Sequence, residues 1–114
     1  MQVKSSLKNL AISPIKLGIV AGIVRGERVT LALQKLRLVD KKGAKMVYKC
    51  LLTAVDGAVK NQDAAEENLK IKEIWVSPGD TSLRRFRFAA KGRIRSYRKH
   101  RANLYIVVSN GSEN

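Results

Sequence analysis

Residues 69–109 of this chain read LKIKEIWVSPGDTSLRRFRFAAKGRIRSYRKHRANLYIVVS. The stretch begins with an apolar-rich segment at 69–76 and ends with LYIVVS at 104–109, which is apolar on both faces. Both segments have β character, and the second is typical of a strand in the middle of a sheet. The sequence therefore predicts two antiparallel partners separated by a long excursion, residues 77–103.

The excursion is strongly basic. Residues 81–103 contain nine Lys or Arg and no acid, so the rest of the chain, with 14 basic and nine acidic residues, contributes only +5 of the net +14. Seven of the nine cations are Arg, whose planar guanidinium binds phosphate bidentately and stacks on bases. Aromatic residues are interleaved with them. This pattern favours a nucleic-acid interface over an ordinary solvated surface.

We call residues 77–103 the arm and predict that it forms a long β-hairpin. Its 27 residues are too many for an ordinary loop, and it lacks the apolar residues to build its own core. Small residues and a glycine at 89–93 suit a hairpin tip. Each half would reach about 40 Å at about 3.3 Å per residue. Because like charges repel, the hairpin needs a polyanion for stability.

The first 62 residues predict one strand, at 2–12, and three helices. Ser13-Pro14 is a helix start, with Ser as N-cap and Pro at the first helical position, and Gly26 is a terminator. The second helix is predicted at about 29–38, and the third follows an amphipathic stripe from residue 44 to 59. Residues 61–68 are polar and acidic and are predicted to be a helix end followed by a loop.

Together these elements predict an α+β fold in one domain, residues 1–114, with about three helices packed on a small antiparallel sheet and the arm projecting from it. The spacing Gly18-x-x-x-Gly22-x-x-x-Gly26 predicts close packing of the first helix on another element. Trp75 is expected in the core, at the base of the arm.

Nothing in the sequence indicates an enzyme, a cofactor or a metal site. The single histidine, His100, cannot build a His-based metal site or a conventional triad, and the acids are scattered. Cys50 is predicted to be a buried structural thiol, and a lone cysteine excludes an internal disulfide and fits a reducing compartment. The longest apolar stretch, Leu17–Val24, is too short to span a membrane.

Two other polyanion-binding functions fit the sequence less well. A free-standing DNA- or RNA-binding regulator requires a base-reading element such as a recognition helix, and the predicted helices carry scattered surface Lys instead. A cationic membrane-surface protein requires a basic amphipathic helix, whereas the basic segment here reads as β. The N-terminus is a poor secretory signal, although its acid-free composition leaves an organelle-targeting role open.

Several motifs, in order, resemble the universal large-subunit ribosomal protein family L-twenty-two of the bacterial type, over nearly the whole chain. They are Ile12-Ser13-Pro14-Ile15-Lys16, Ile23-Val24-Arg25-Gly26, Leu83-Arg84-Arg85-Phe86-Arg87, Lys91-Gly92-Arg93 and Ile106-Val107-Val108-Ser109. The chain departs from the family pattern at Phe88 and Ala89, where the family usually has Pro and Arg. It also carries an additional Arg95 and Tyr97.

The resemblance implies a structural constituent of the large ribosomal subunit that binds its rRNA and supports its assembly. A bacterial cytoplasm is favoured over an organelle as its compartment. The implied partners are large-subunit (23S-type) rRNA, neighbouring large-subunit proteins and the nascent polypeptide, with no DNA and no membrane. The hairpin would run through rRNA to the peptide exit tunnel, where its tip would line the wall with Ala89, Ala90, Lys91, Gly92 and Arg93. The expected RNA-binding residues are Arg84, Arg85, Phe86, Arg87, Lys91, Arg93, Arg95, Arg98, Lys99, Arg101, Lys16 and Arg25.

Overall fold

A computed structural model describes residues 2–62, 65–79, 84–88, 94–98 and 101–110 of the chain. Within these ranges the elements, in chain order, are β1 (Gln2–Leu10), α1 (Pro14–Val24), α2 (Val29–Leu38), α3 (Lys42–Gln62), a short 3₁₀ turn (Glu66–Asn68), β2 (Lys70–Pro78), β3 (Arg84–Phe88), β4 (Ile94–Arg98) and β5 (Ala102–Ser109).

The main sheet is antiparallel, with strand order β1-β5-β2. The predicted pairing of the two segments that flank the arm is confirmed, since Trp75 lies opposite Tyr105 and β5 is the central strand. The predicted N-terminal strand is β1. Both β2 and β5 continue beyond their predicted ends into the base of the arm, as far as the pair Pro78 and Ala102. Pro78 is tolerated because β2 is an edge strand.

The core lies between one face of this sheet and the three helices. Leu104, Ile106 and Val108 alternate along β5 toward the helices and are fully buried. They meet Leu17 of α1 and Leu51 of α3, which are also fully buried, in one apolar cluster. The predicted α+β class, with helices packed on a small antiparallel sheet, is therefore confirmed.

The helix boundaries follow local chemistry. The Ser13 hydroxyl accepts a hydrogen bond from the Lys16 amide at 3.3 Å, and Pro14 occupies the first turn of α1, as predicted. Gly26, just past the end of α1, has φ +76°, the left-handed conformation that favours glycine as a terminator. The third helix ends at Gln62, inside the stretch 61–68 that the sequence predicts to be a helix end followed by a loop.

The predicted packing of α1 through its glycines is wrong. Nothing lies within 4 Å of a Cβ built at Gly18 or Gly22, and this side of the helix, which also carries Ile15, Ile19 and Ile23, is largely exposed. The helix is apolar all round, so periodicity alone could not decide which side is buried. Close packing occurs instead at Gly43 of α3, where a Cβ would lie 3.2 Å from side-chain atoms of Ile12 and Val20.

The predicted hairpin is present in the described part of the arm. β3 and β4 form a separate two-stranded antiparallel sheet, from the pair Arg84 and Arg98 to the pair Phe88 and Ile94. The Cα radius of gyration is 17.2 Å, against about 13 Å for a compact chain of this length. The molecule is accordingly elongated, with extents of 62 × 26 × 22 Å.

Candidate nucleic-acid interface

At its base, where the arm leaves the main sheet, its two backbone segments are hydrogen-bonded and lie close together. The Gly79 amide donates a hydrogen bond to the Arg101 carbonyl oxygen at 2.8 Å, which continues the β2–β5 ladder by one step. A Cβ at Gly79 would lie only 3.1 Å from the Arg101 carbonyl carbon, so the two backbones approach as closely as a glycine permits. Arg101 Nη1 also donates to the Asn9 carbonyl oxygen of β1 at 3.0 Å. All three strands of the main sheet thus meet at this base.

The register of the hairpin places like charges opposite one another. Arg84 faces Arg98 across the two strands, and Arg87 faces Arg95. Directly opposed like charges destabilise an antiparallel pair, and a two-stranded ribbon is marginal in water even without them. A bound polyanion would relieve this repulsion, because phosphates would neutralise both members of each pair.

Six of the twelve sequence-predicted RNA-binding residues come together on the two strands of this hairpin. Arg84, Arg85, Phe86 and Arg87 lie on β3, and Arg95 and Arg98 lie on β4. Arg101 lies at the base of the arm. The predicted RNA contacts Lys91, Arg93 and Lys99, the predicted tip Ala89, Ala90, Lys91, Gly92 and Arg93, and His100 lie outside the described residues.

The two predicted residues of the helical part lie at opposite ends of α1. Lys16 is exposed in its first turn, beside a groove that Lys41 and Lys42 also line. Arg25 follows the last turn, and its Nη2 donates to the Ile74 carbonyl oxygen of the edge strand β2 at 3.1 Å. Arg25 therefore lies beside the main sheet, whereas Lys16 belongs to a separate basic surface.

Trp75 is not a core residue, so that prediction is wrong. A β-bulge between Ile71 and Glu73 changes the side-chain alternation along β2, so that Ile71 and Ile74 are buried and Trp75 falls on the open face. There the Trp75 ring is half-buried and stacks on Tyr105, with ring centroids 5.1 Å apart and planes inclined by 14°. A bulge inside an apolar run leaves no distinct signal in the sequence.

The single cysteine lies inside the core. Cys50 is buried in α3, as predicted, and desolvation by burial raises the pKa of its thiol, which the hydrogen bond with Ser5 at 3.6 Å partly opposes. In the described ranges no cluster of three or more His, Cys, Asp or Glu residues could hold a metal ion. No helix in the part of the chain that the structure covers is long and apolar enough to cross a membrane.

The comparisons with known proteins agree with this architecture. The profile of the family described as ribosomal protein L22p/L17e matches residues 5–109 of the chain. The large ribosomal subunit protein uL22 of Staphylococcus aureus strain JH9 is 33% identical over 113 residues, covering 99% of this chain and 96% of that protein. The uL22 protein of Staphylococcus aureus strain Newman is similar to the same extent. The match includes the three helices, all five strands from residue 5 onward and the arm, and the chain belongs to the ribosomal protein L22p/L17e family.

Proposed function

We propose that this protein is a structural, non-enzymatic constituent of the large ribosomal subunit, and that it binds large-subunit rRNA through its arm. The observation that carries the proposal is the register of the hairpin, which opposes Arg84 to Arg98 and Arg87 to Arg95 in a segment with no acid. Such a hairpin needs surrounding anionic groups to neutralise its charge, and folded RNA supplies phosphates on all sides.

The mechanism is scaffolding by charge neutralisation. Where rRNA segments converge, their phosphates repel one another, and the arm's cations offset that repulsion and favour the compact RNA fold during subunit assembly. Guanidinium groups add bidentate phosphate contacts and stacking on unpaired bases. The half-buried Arg101 and the exposed Arg25 extend this surface from the arm onto the main sheet. Lys16 adds a separate contact with RNA at the start of α1.

The test is a double charge reversal, Arg85→Glu with Arg87→Glu, expressed in cells that also make the unmodified protein. We expect the variant to be depleted from large subunits at least about tenfold, because each substitution replaces an attraction to phosphate by a repulsion. Lys45→Glu with Lys49→Glu on the exposed side of α3 makes the same change in net charge and is the control. Normal incorporation of the arm variant would refute the proposal.

We further propose a position for the end of the arm within the ribosome: residues 89–93 form the tip of the hairpin and line the wall of the peptide exit tunnel. Family membership supports it, as does the pairing of Phe88 with Ile94, which brackets these five residues. The partners are then 23S-type rRNA, neighbouring large-subunit proteins and the nascent chain, in ribosomes of a bacterial cytoplasm or an organelle. A photoreactive residue at Arg93 should crosslink to large-subunit rRNA and to nascent chains; crosslinks to DNA, lipid or scattered messenger RNA would reject the placement.

A further inference from the structure

The open face of the main sheet carries an aromatic and cationic cluster that the arm does not account for. It consists of Trp75 on β2, Tyr105 on β5 and Lys4 on β1, and we call it the sheet platform. Lys4 Nζ lies 5.4 Å from the Trp75 ring centroid and 5.8 Å from that of Tyr105, within the range of a cation–π interaction. The three side chains thus come from all three strands and meet over the face away from the helices.

This cluster is not part of the core. The neighbouring residues Ile74, Leu104 and Ile106 fill the helix-facing side, whereas both rings are half-buried and Lys4 is exposed. Among the residues that the structure describes, none hydrogen-bonds to the indole nitrogen of Trp75 or the hydroxyl of Tyr105. Two large rings therefore present apolar surface and unused polar groups on a face that no described helix covers.

The platform adjoins the surface proposed to bind RNA. Trp75 and Tyr105 are each three residues from Pro78 and Ala102, the last β2–β5 pair and the base of the arm. Arg25 donates a hydrogen bond to the carbonyl oxygen of Ile74, the residue before Trp75 on the edge strand β2, while Lys4 lies over the two rings from β1. The three strands of the sheet carry four Lys and one acid, Glu73, which leaves the local charge positive.

We propose that the sheet platform binds an unpaired nucleotide of RNA, whose base stacks on the Trp75–Tyr105 pair while Lys4 and Arg25 hold the flanking phosphates. Aromatic side chains flanked by cations on the open face of a sheet are well suited to single-stranded RNA, because every base offers a π-face for stacking. The inference rests on the proposed function and adds a second, base-stacking contact to the phosphate-binding arm. A protein partner is the less favoured occupant, since the surrounding charge suits a polyanion.

Trp75 is the one tryptophan of the sequence, so its emission reports on this site alone. The full chain is titrated with a single-stranded RNA ten-mer that carries an anisotropy label, up to concentrations that saturate the label. We expect quenching of Trp75 emission by the single strand and little by a duplex of the same sequence, whose bases are already stacked.

Substitutions in the sheet platform test whether the quenching of Trp75 emission comes from RNA bound at this site. Tyr105→Thr keeps β propensity and Lys4→Gln alters an exposed side chain; each should weaken the affinity read from Trp75 quenching by roughly tenfold. Tyr48→Leu is the matched control, because it removes an equally half-buried tyrosine with its own cation–π partner, Arg37 at 5.6 Å, on the helical side. Thermal unfolding of each variant checks that the fold is retained.

The outcomes separate this inference from the proposed function. Quenching that is weakened by Tyr105→Thr and Lys4→Gln but not by Tyr48→Leu supports the platform. Saturated RNA binding without quenching, or quenching that neither substitution weakens, overturns the platform and leaves the arm as the binding element. Absence of RNA binding in both readouts overturns the platform and also contradicts the proposed function.

Discussion

At the scale of single residues, Gly79 controls the geometry of the arm's base. Its amide is bonded to the Arg101 carbonyl, and an added Cβ would press on the backbone of Arg101 and Ala102 at 3.1–3.2 Å. The neighbouring atoms are held in a strand, so they cannot move aside as a flexible side chain would. The glycine is therefore required by the close approach of two backbones and not by a positive φ.

We expect Gly79→Ala to destabilise the protein by about 1–3 kcal/mol, the usual cost of overpacking. Gly18→Ala is the matched control, since its Cβ would meet nothing within 4 Å and alanine favours a helix interior by about 0.5–1 kcal/mol. Urea unfolding of the two variants should therefore shift in opposite directions. Equal stability of Gly79→Ala and the unmodified chain would mean that β2 and β5 do not approach closely at this point.

At the scale of elements, the sequence predicts which segments form strands and helices better than it predicts their orientation. The strand character of β2 and β5, the N-cap at Ser13 and the terminator Gly26 each depend on local chemistry, and each is confirmed. The buried side of α1 depends on which of two apolar stripes meets the sheet, a tertiary choice that its residues leave undetermined.

The same dependence on tertiary contacts explains why the sequence does not predict the sheet platform. Trp75 reads as a core residue because large apolar side chains usually are, and because alternation from Ile71 places it on the same side. The bulge between Ile71 and Glu73 reverses that alternation, and Lys4 joins the rings only through the pairing of β1 with β5. The arm was predictable from composition because its charge pattern is local; the platform was not, because three distant strands build it.

At the scale of the whole molecule, the residues that form the core are separated in space from the hairpin that we propose to bind RNA. The described core residues all come from β1, β2, β5, the helices and the segments joining them. The hairpin strands β3 and β4 form a sheet of their own, and their opposed arginines oppose folding of the free chain. The fold should therefore survive removal of the hairpin, while the affinity for RNA should not.

Replacing residues 80–100 by Asn-Gly tests this separation, because Gly79 and Arg101 are already hydrogen-bonded and a two-residue turn can join them. These residues hold eight basic residues and Asp80, so the net charge falls from +14 to +7. We expect an unfolding free energy equal to that of the full chain or higher by up to about 2 kcal/mol, since each halving of a loop's length lowers its closure cost by about 0.6 kcal/mol. Affinity for rRNA fragments should drop, and the slope of log affinity against log salt should fall by about 0.7 for each phosphate that the shortened chain no longer neutralises.

A full-length variant with the eight cations changed to Gln should bind as weakly as the shortened chain, which assigns the effect to charge and not to length. An unchanged salt slope in the shortened chain would instead locate the RNA-binding charge on the helices and the main sheet.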